Sequence, residues 1–156
     1  MRISQHAYFA LRSTTMTPAQ ITARIGLEPD EVTLRGSRSA DPPRPIAYAW
    51  KIVCREPALT VDEMITRLLD RAEPFSHTIA LLVQELDQED DDCGSSAVLQ
   101  VVRHLDDEDG EEEDLTSPPG FEKITGQHQL LGWHLDRRVL AFLTTTGAEL
   151  DVDEYG

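Results

Sequence analysis

The stretch HAYFALRSTTMTPAQITARIG, residues 6–26, decides the fold because its hydrophobic period changes partway along. Apolar and polar residues alternate over residues 6–14, which is typical of a strand with one buried face. After that, Thr17 and Gln20 have the spacing of a capping box, and Gly26 is a suitable helix stop. The sequence therefore predicts a strand followed by a short helix.

Two more strands are predicted before the middle of the chain. EVTLRG, residues 31–36, is typical of a brief strand, and IAYAWKIVCR, residues 46–55, of a stronger one. In the second strand Tyr48 and Trp50 share one face, and Lys51 lies on the other. Three prolines between these strands exclude a helix or a central strand there.

Helical spacing returns in LTVDEMITRLLDRAEP, residues 59–74, after a second capping box from Thr60 to Glu63. Pro74 interrupts the pattern and residues 75–86 resume it, so we expect a kinked helix or two consecutive helices. A strand over residues 78–83 is the alternative, because short apolar runs are ambiguous.

The remaining elements are a strand at SAVLQVVRHL, residues 96–105, a helix at residues 129–147 and a closing strand at residues 148–156. The order β-α-β-β-α-β-α-β predicts one α+β domain over residues 1–156. We expect an antiparallel or mixed sheet of about five strands with helices mainly on one face. The first six elements have the order of a ferredoxin-like unit.

Acidic residues dominate the charge, which is −15 at neutral pH. Residues 87–92 and 106–114 contain thirteen acids and no lysine or arginine, so the rest of the chain carries −2. We expect residues 87–95 and 106–120 to be flexible acidic or Pro/Gly-rich loops. This acidity argues against a nucleic-acid partner, since a phosphate backbone requires a basic surface.

Several classes of function lack their motifs. No apolar window is long enough for a membrane span, and residues 1–15 lack the apolar region typical of a signal peptide, so we expect a cytoplasmic protein without a membrane partner. Cys54 and Cys93 lack metal spacing, and the register around Gly110 fails for an EF-hand, so neither a metal nor a cofactor is expected. Nucleotide-binding and nucleophile-elbow motifs are missing, which predicts a non-catalytic protein. An enzyme of unrecognised type remains an alternative.

Arginines concentrate in TLRGSRSADPPRPIAYAW, residues 33–50, and two interpretations of them stay open. Arg35 and Arg38 could hold an anion together with turn amides. Alternatively, Gly36 makes a tight turn and the arginines balance nearby acids.

Aromatic residues are the other candidates for a site. Tyr8, Tyr48 and Trp50 fall on predicted strands, and any rings on an uncovered sheet face would form a partner or dimer surface. The alternative is that Trp50 points into the core, because alternation alone does not say which face is covered.

Five features in order resemble one family of bacterial proteins. They are the opening strand with its Pro-started helix and IGLEPDE, the pair Arg35-Gly36, the strand carrying Trp50, the long amphipathic helix with AVLQVV after it, and the closing pattern of Gly147, Asp151, Asp153 and Tyr155. Over residues 6–155 the chain resembles the bacterial domain of unknown function 4279. That resemblance implies no established activity, cofactor or catalytic residue. It does imply an immunity-type role beside toxins for some members.

We therefore predict a non-catalytic protein-interaction module, and an immunity-type role is one version of this prediction. The expected partner is a protein, basic in character, and a second copy of the chain is a further option. Tyr8, Tyr48 and Trp50 would form the surface, with Arg35 at its rim. The alternative is a small-molecule or anion-binding domain that uses Arg35, Arg38 and the sheet aromatics.

Overall fold

The computed structural model describes residues 2–89, 95–106 and 132–156 of the chain. The acidic segments lie mostly outside these ranges, although residues 87–89 belong to a helix and Asp106 ends a strand. The described elements, in order, are β1 (Arg2–Ser13), α1 (Pro18–Ile25), β2 (Glu31–Thr33), β3 (Tyr48–Cys54), α2 (Val61–Ala72), a 3-10 turn (Glu73–Phe75), α3 (Ser76–Glu89), β4 (Ala97–Asp106), α4 (Arg137–Thr146) and β5 (Glu149–Tyr155).

The five strands form one mixed sheet in the order β2-β3-β1-β4-β5. β1 lies between β3 and β4 and is antiparallel to both, and β2 is antiparallel to β3. β5 joins the far side of β4 in parallel. A parallel pair requires a crossover connection, and α4 lies in that connection. The predicted α+β class is confirmed, and β4 lies inside the sheet, between β1 and β5.

Both predicted capping boxes form. At α1 the Thr17 side chain accepts a hydrogen bond from the Gln20 amide, and the Gln20 side chain accepts one from the Thr17 amide. Thr60 and Glu63 make the same reciprocal pair at α2. Each box satisfies two amides that a helix start otherwise leaves without partners, which is why these boundaries were predictable from a few residues.

The segment after Pro74 is helical, so the alternative of a strand over residues 78–83 is wrong. A short 3-10 turn leads from α2 into α3, as expected for two consecutive helices. The buried residues of α3 keep helical spacing: Ile79, Leu82, Val83 and Leu86. Burial of this stripe against the rest of the protein therefore favours the helix over the strand.

The last helix is shorter than predicted. It begins at Arg137, since the Asp136 side chain accepts a hydrogen bond from the Val139 amide and ends the preceding extended segment. Leu135 still packs against the core, which explains why it fitted the apolar stripe without being helical. The part of the prediction at residues 129–131 lies outside the described residues.

All four helices pack against one face of the sheet. That face contributes Ala7, Phe9 and Leu11 from β1 and Trp50 and Ile52 from β3, and they form a continuous buried cluster with residues of every helix. The opposite face, which we call the open face, is covered by none of the described helices. No helix in the described part of the chain is long and apolar enough to cross a membrane.

Candidate functional site

The open face collects the alternate residues of the same strands. Tyr8 and Arg12 from β1, Lys51 from β3, Gln100 from β4 and Asp153 from β5 all have this orientation. Their positions follow from strand register, because a residue directly opposite another across two strands points to the same side. The sheet therefore brings polar groups together from segments far apart in sequence.

At one end of this face the chain between β2 and β3 encloses a groove with a volume of about 430 Å³. Arg12, Arg44 and Lys51 supply three cationic side chains to its lining, and Asp41 supplies one acid. We call this site the basic groove. Its apolar walls consist of Pro42, Pro43, Pro45 and Ile46, and Tyr48 at the start of β3 also borders it.

The loop that forms the wall of the groove is closed by its own backbone. The amide of Gly36 donates to the carbonyl of Pro45 at 2.8 Å, and the amide of Arg44 donates to the carbonyl of Ser37 at 2.7 Å. Gly36 and Arg44 both have positive φ, 72° and 57°. Gly36 adopts this conformation without steric cost, whereas Arg44 is held in it by the loop closure. The groove wall is thus preformed.

A hydrogen-bonded chain crosses the middle of the open face. The Tyr8 hydroxyl donates to Gln100 Oε1 at 3.3 Å, and Gln100 Nε2 donates to Asp153 Oδ2 at 2.8 Å. Gln100 is only 3% exposed, so the two bonds satisfy an amide that would otherwise be buried without partners. The Lys51 ammonium lies 4.5 Å from the centroid of the Tyr8 ring, within cation–π range.

Burial affects the titration of these groups. Desolvation lowers the pKa of Lys51, with Glu31 acting in the opposite direction. Desolvation also raises the pKa of Tyr8, and the nearby Arg12 lowers it by less. The pKa of His6 is lowered, first by burial and then by the charges of Arg55 and His104. The protein therefore keeps a half-buried cation beside the groove at an electrostatic cost.

The other end of the open face is acidic. β5 lies at the edge of the sheet, and Glu149, Asp151 and Asp153 point to the open face. Tyr155 continues this row and stacks on His104 with 4.8 Å between ring centroids. We call β5 with these side chains the acidic edge. The open face is thus polarised, positive at the groove and negative at this edge.

Two of the predicted site residues lie in or beside the groove. Tyr8 is half-buried on the open face, and Tyr48 lines the groove. Arg35 is exposed and donates to the carbonyl of Thr14 at 2.7 Å, which ties the loop to the end of β1. Arg38 is exposed, and neither arginine lines the groove. The loop contributes Arg44 instead.

The expectation that Trp50 shares an exposed surface with Tyr8 is wrong. Trp50 lies on the helix-covered face, is 0% exposed and donates from Nε1 to Thr22 Oγ1 at 3.1 Å. The bulky ring fills the space under α1, and its one polar atom is satisfied by that helix. Trp50 is a core residue.

Sequence reasoning missed Arg12, Arg44 and Lys51 as a group. The alternation of β1 and β3 does put Arg12 and Lys51 on the faces opposite their apolar stripes, which was the available signal. Their proximity depends on the antiparallel register, in which Arg12 pairs with Ala49 and Lys51 with Ala10. Local pattern contains no information about that pairing.

Candidate metal sites and thiols add little to this surface. Within residues 2–89, 95–106 and 132–156, no three His, Cys, Asp or Glu side chains are grouped so that they could hold a metal ion. Cys54 is a free, buried thiol on the helix side of the sheet. The described side chains of the open face carry charges and hydrogen-bonding groups.

Comparison with known proteins gives a family but no activity. The family model described as Domain of unknown function (DUF4279) matches residues 3–156. No curated protein matches the chain, and no solved structure does. The resemblance inferred from the ordered motifs is confirmed.

Proposed function

The chain belongs to the DUF4279 family, whose description assigns no activity, and from its geometry we propose that it is a non-catalytic domain that binds a basic protein partner. The acidic edge is the docking surface, and an extended basic segment of the partner pairs with β5. The observation that supports this most is the row of acids on an edge strand.

The backbone of β5 is suited to such pairing. Its seven residues pair with β4 on one side, and no described strand lies on the other. An edge strand of this kind presents amide and carbonyl groups to an added strand, which is how many domains capture extended peptides. Main-chain hydrogen bonds then supply affinity, and side chains select the partner.

Charge selects a basic occupant. Glu149 and Asp151 form no ion pair in the described part of the chain, and Asp153 is hydrogen-bonded to an amide and not to a cation. Lysine or arginine at alternate positions of an incoming strand would lie opposite these carboxylates. The overall charge of −15 would also accelerate the encounter with a basic protein.

A second copy of the chain fits this edge poorly. Pairing two β5 strands would bring both acidic rows together, and like charges across a strand pair are destabilising. The same acids therefore discourage self-association through β5 while they favour a basic partner. A basic, nucleic-acid-cleaving toxin would have the required chemistry, in keeping with an immunity-type role. The buried free thiol of Cys54 suits a cytoplasmic location.

The test uses a blocked seven-residue peptide of alternating lysine and valine as a probe. Its affinity is measured by fluorescence anisotropy, and its binding position by amide NMR shifts of the full chain. We expect saturable shifts along β5 and an affinity that falls with salt. Asp151→Lys should weaken binding roughly tenfold, because reversing an exposed charge changes a contact Coulomb energy by about 2 kcal/mol before screening.

Glu28→Lys is the matched control. Glu28 is exposed on the connection between α1 and β2, and its substitution changes the net charge by the same amount. Equal weakening by both variants would mean that only net charge attracts the peptide, and the proposal would fail. Shifts outside β5 would also overturn it, as would a concentration-dependent dimer in sedimentation experiments that shifts the amide signals of β5 without peptide. A natural partner should bind the wild type and Glu28→Lys but not Asp151→Lys.

A further inference from the structure

The basic groove holds cations that the remainder of the described chain does not neutralise. Arg24, Arg55, Arg67, Arg71, Arg103 and Arg138 form ion pairs with carboxylates. Arg12, Arg44 and Lys51 form none among the described residues, although they belong to a protein with a net charge of −15. An acidic chain that leaves three cations beside one another, with one acid in the same lining, has a local electrostatic preference for an anion.

Lys51 strengthens that preference. Its ammonium is half-buried over the Tyr8 ring, and desolvation lowers its pKa. Glu31 is the acid that acts on it, but Glu31 is engaged by Arg55. An anion entering the groove would replace part of the lost hydration of Lys51, and the electrostatic cost would become binding energy.

The shape and lining of the groove select an organic anion. Its volume of about 430 Å³ lies within the usual range for small-molecule sites. Arg12 offers the planar fork that suits carboxylate and phosphate oxygens, and Lys51 offers a point charge beside it. The prolines and Ile46 give the rest of the ligand an apolar wall, and Ile46 is 85% exposed.

The wall is held in place by hydrogen bonds within the protein itself. Its loop is closed by the backbone bonds from Gly36 to Pro45 and from Arg44 to Ser37, and Arg35 fixes it to the end of β1. A preformed site loses less conformational entropy on binding, which raises affinity for a small ligand. Three prolines among residues 42–45 restrict the loop further.

We propose that the basic groove binds an organic oxyanion, a carboxylate or phosphate group on a small apolar or aromatic body. The oxyanion lies between Arg12 and Lys51, and the body lies against the proline wall. This site is separate from the acidic edge and does not depend on the proposed protein partner. The anion-binding alternative predicted from the sequence used Arg35 and Arg38. In the structure these two arginines would shape or flank the site without contacting the ligand.

The test is an NMR titration of the full chain with benzoate, phenyl phosphate, inorganic phosphate and the neutral benzamide. Benzoate or phenyl phosphate should produce saturable shifts at the amides of Tyr48, Ala49 and Lys51, and benzamide should not. Whichever of the two aromatic anions binds more tightly identifies the headgroup. If inorganic phosphate bound as tightly as phenyl phosphate, the aromatic body would add no affinity, and the proposed contact with the apolar wall would be wrong.

Variants locate the site. Arg12→Gln should lower the affinity for the aromatic anion about tenfold or more, which is the usual loss for a charge-assisted hydrogen bond. Arg12 is exposed, so the variant should fold. Lys51→Met is the second variant, with its melting curve measured beside it. Arg38→Gln is the matched control and should change affinity by less than about twofold.

Two results would overturn the proposal. One is equal binding of benzoate, phenyl phosphate and benzamide; the other is affinity unchanged by both Arg12→Gln and Lys51→Met, or lowered as much by Arg38→Gln. Asp151→Lys, which tests the acidic edge, should leave the anion affinity unchanged. Failure at one site is therefore distinguishable from failure at the other.

Discussion

Trp50 and Lys51 are neighbours in β3, and they show how differently the two faces of the sheet are constructed. The Trp50 ring is fully buried and its indole N–H is paired with Thr22. The Lys51 ammonium is half-buried over Tyr8, and its pKa is lowered by desolvation. One residue contributes apolar burial to stability, and the other retains a charge where packing does not require one. Such a difference between adjacent residues separates the core face of the sheet from the face on which we propose binding.

Leu99 and Gln100 repeat the comparison in β4. Leu99 is fully buried in the helix-side cluster. Gln100 is almost as buried on the open face, and its side-chain amide is hydrogen-bonded to Tyr8 and Asp153. Stability alone would favour an apolar side chain at such a position, since a buried amide must be matched by partners. The chain instead maintains a polar network beside the groove.

The largest expected effect is a difference in the free energy of unfolding between substitutions on the two faces. Trp50→Ala should lower the free energy of unfolding by about 3–5 kcal/mol, because it removes a large buried ring and leaves a cavity. Tyr8→Ala, on the open face, should cost less than half as much, since that ring is already half-exposed. Urea denaturation measures both. Equal losses would contradict the assignment of the core to the helix-covered face alone.

The next effect concerns the polar network. Gln100→Met keeps the volume but leaves Asp153 and Tyr8 without their partner, and it should cost about 1–2 kcal/mol. A double-mutant cycle with Tyr8→Phe should give a coupling energy of about 0.5–1 kcal/mol. Coupling near zero in chemical denaturation would mean that the 3.3 Å contact does not stabilise the fold.

Sequence alone predicted the structural features that depend on residues close together in the chain. The two capping boxes, the consecutive helices around Pro74 and the two-faced strands follow from spacing over a few residues, and all of them form. The start of α4 was misplaced, because Leu135 keeps the apolar stripe while Asp136 caps the helix after it. Helix periodicity records which residues face the core, and an extended residue can face the core too.

The candidate site was less predictable. Alternation distributes Tyr8 and Arg12 to one side of β1 and Lys51 to one side of β3, but it does not say which side the helices cover. The groove also requires Arg44, which the loop contributes after its backbone closes between Ser37 and Arg44. Pairing register and loop closure are long-range properties, and the burial of Trp50 is decided by them as well.

Lys51→Met should leave stability within about 1 kcal/mol of wild type at pH 7, although a half-buried residue is replaced. Burial lowers the pKa of Lys51 in the folded state, so the unfolded chain binds more protons at alkaline pH. Stability gained from this group therefore rises as pH increases through its folded pKa, and Lys51→Met should remove that rise. Denaturation at pH 7 to 10 checks it, and a steeper rise in the variant would contradict the desolvation argument.

The smallest effect belongs to His6. Its pKa is lowered from 6.5 by burial and then by the charges of Arg55 and His104, with Lys51 adding to them and Glu31 opposing them. The unfolded chain thus takes up the proton first as pH falls through 6.5, and stability declines there. His6→Gln should flatten this decline, by an amount that corresponds to a fraction of one proton. Melting temperatures at pH 5.5 to 7.5 measure it, with exposed His77→Gln as the control.

The central position of β1 has a consequence for synthesis on the ribosome. Ala7 pairs with Cys54 on one side and with Val101, 94 residues later in the chain, on the other. At about 5–20 residues per second, the second partner is translated roughly 5–20 s after β1. During that interval the apolar stripe of Ala7, Phe9 and Leu11 has no complete sheet to join. The nascent chain is therefore most open to chaperones, or to aggregation, through the strand that ends up most enclosed.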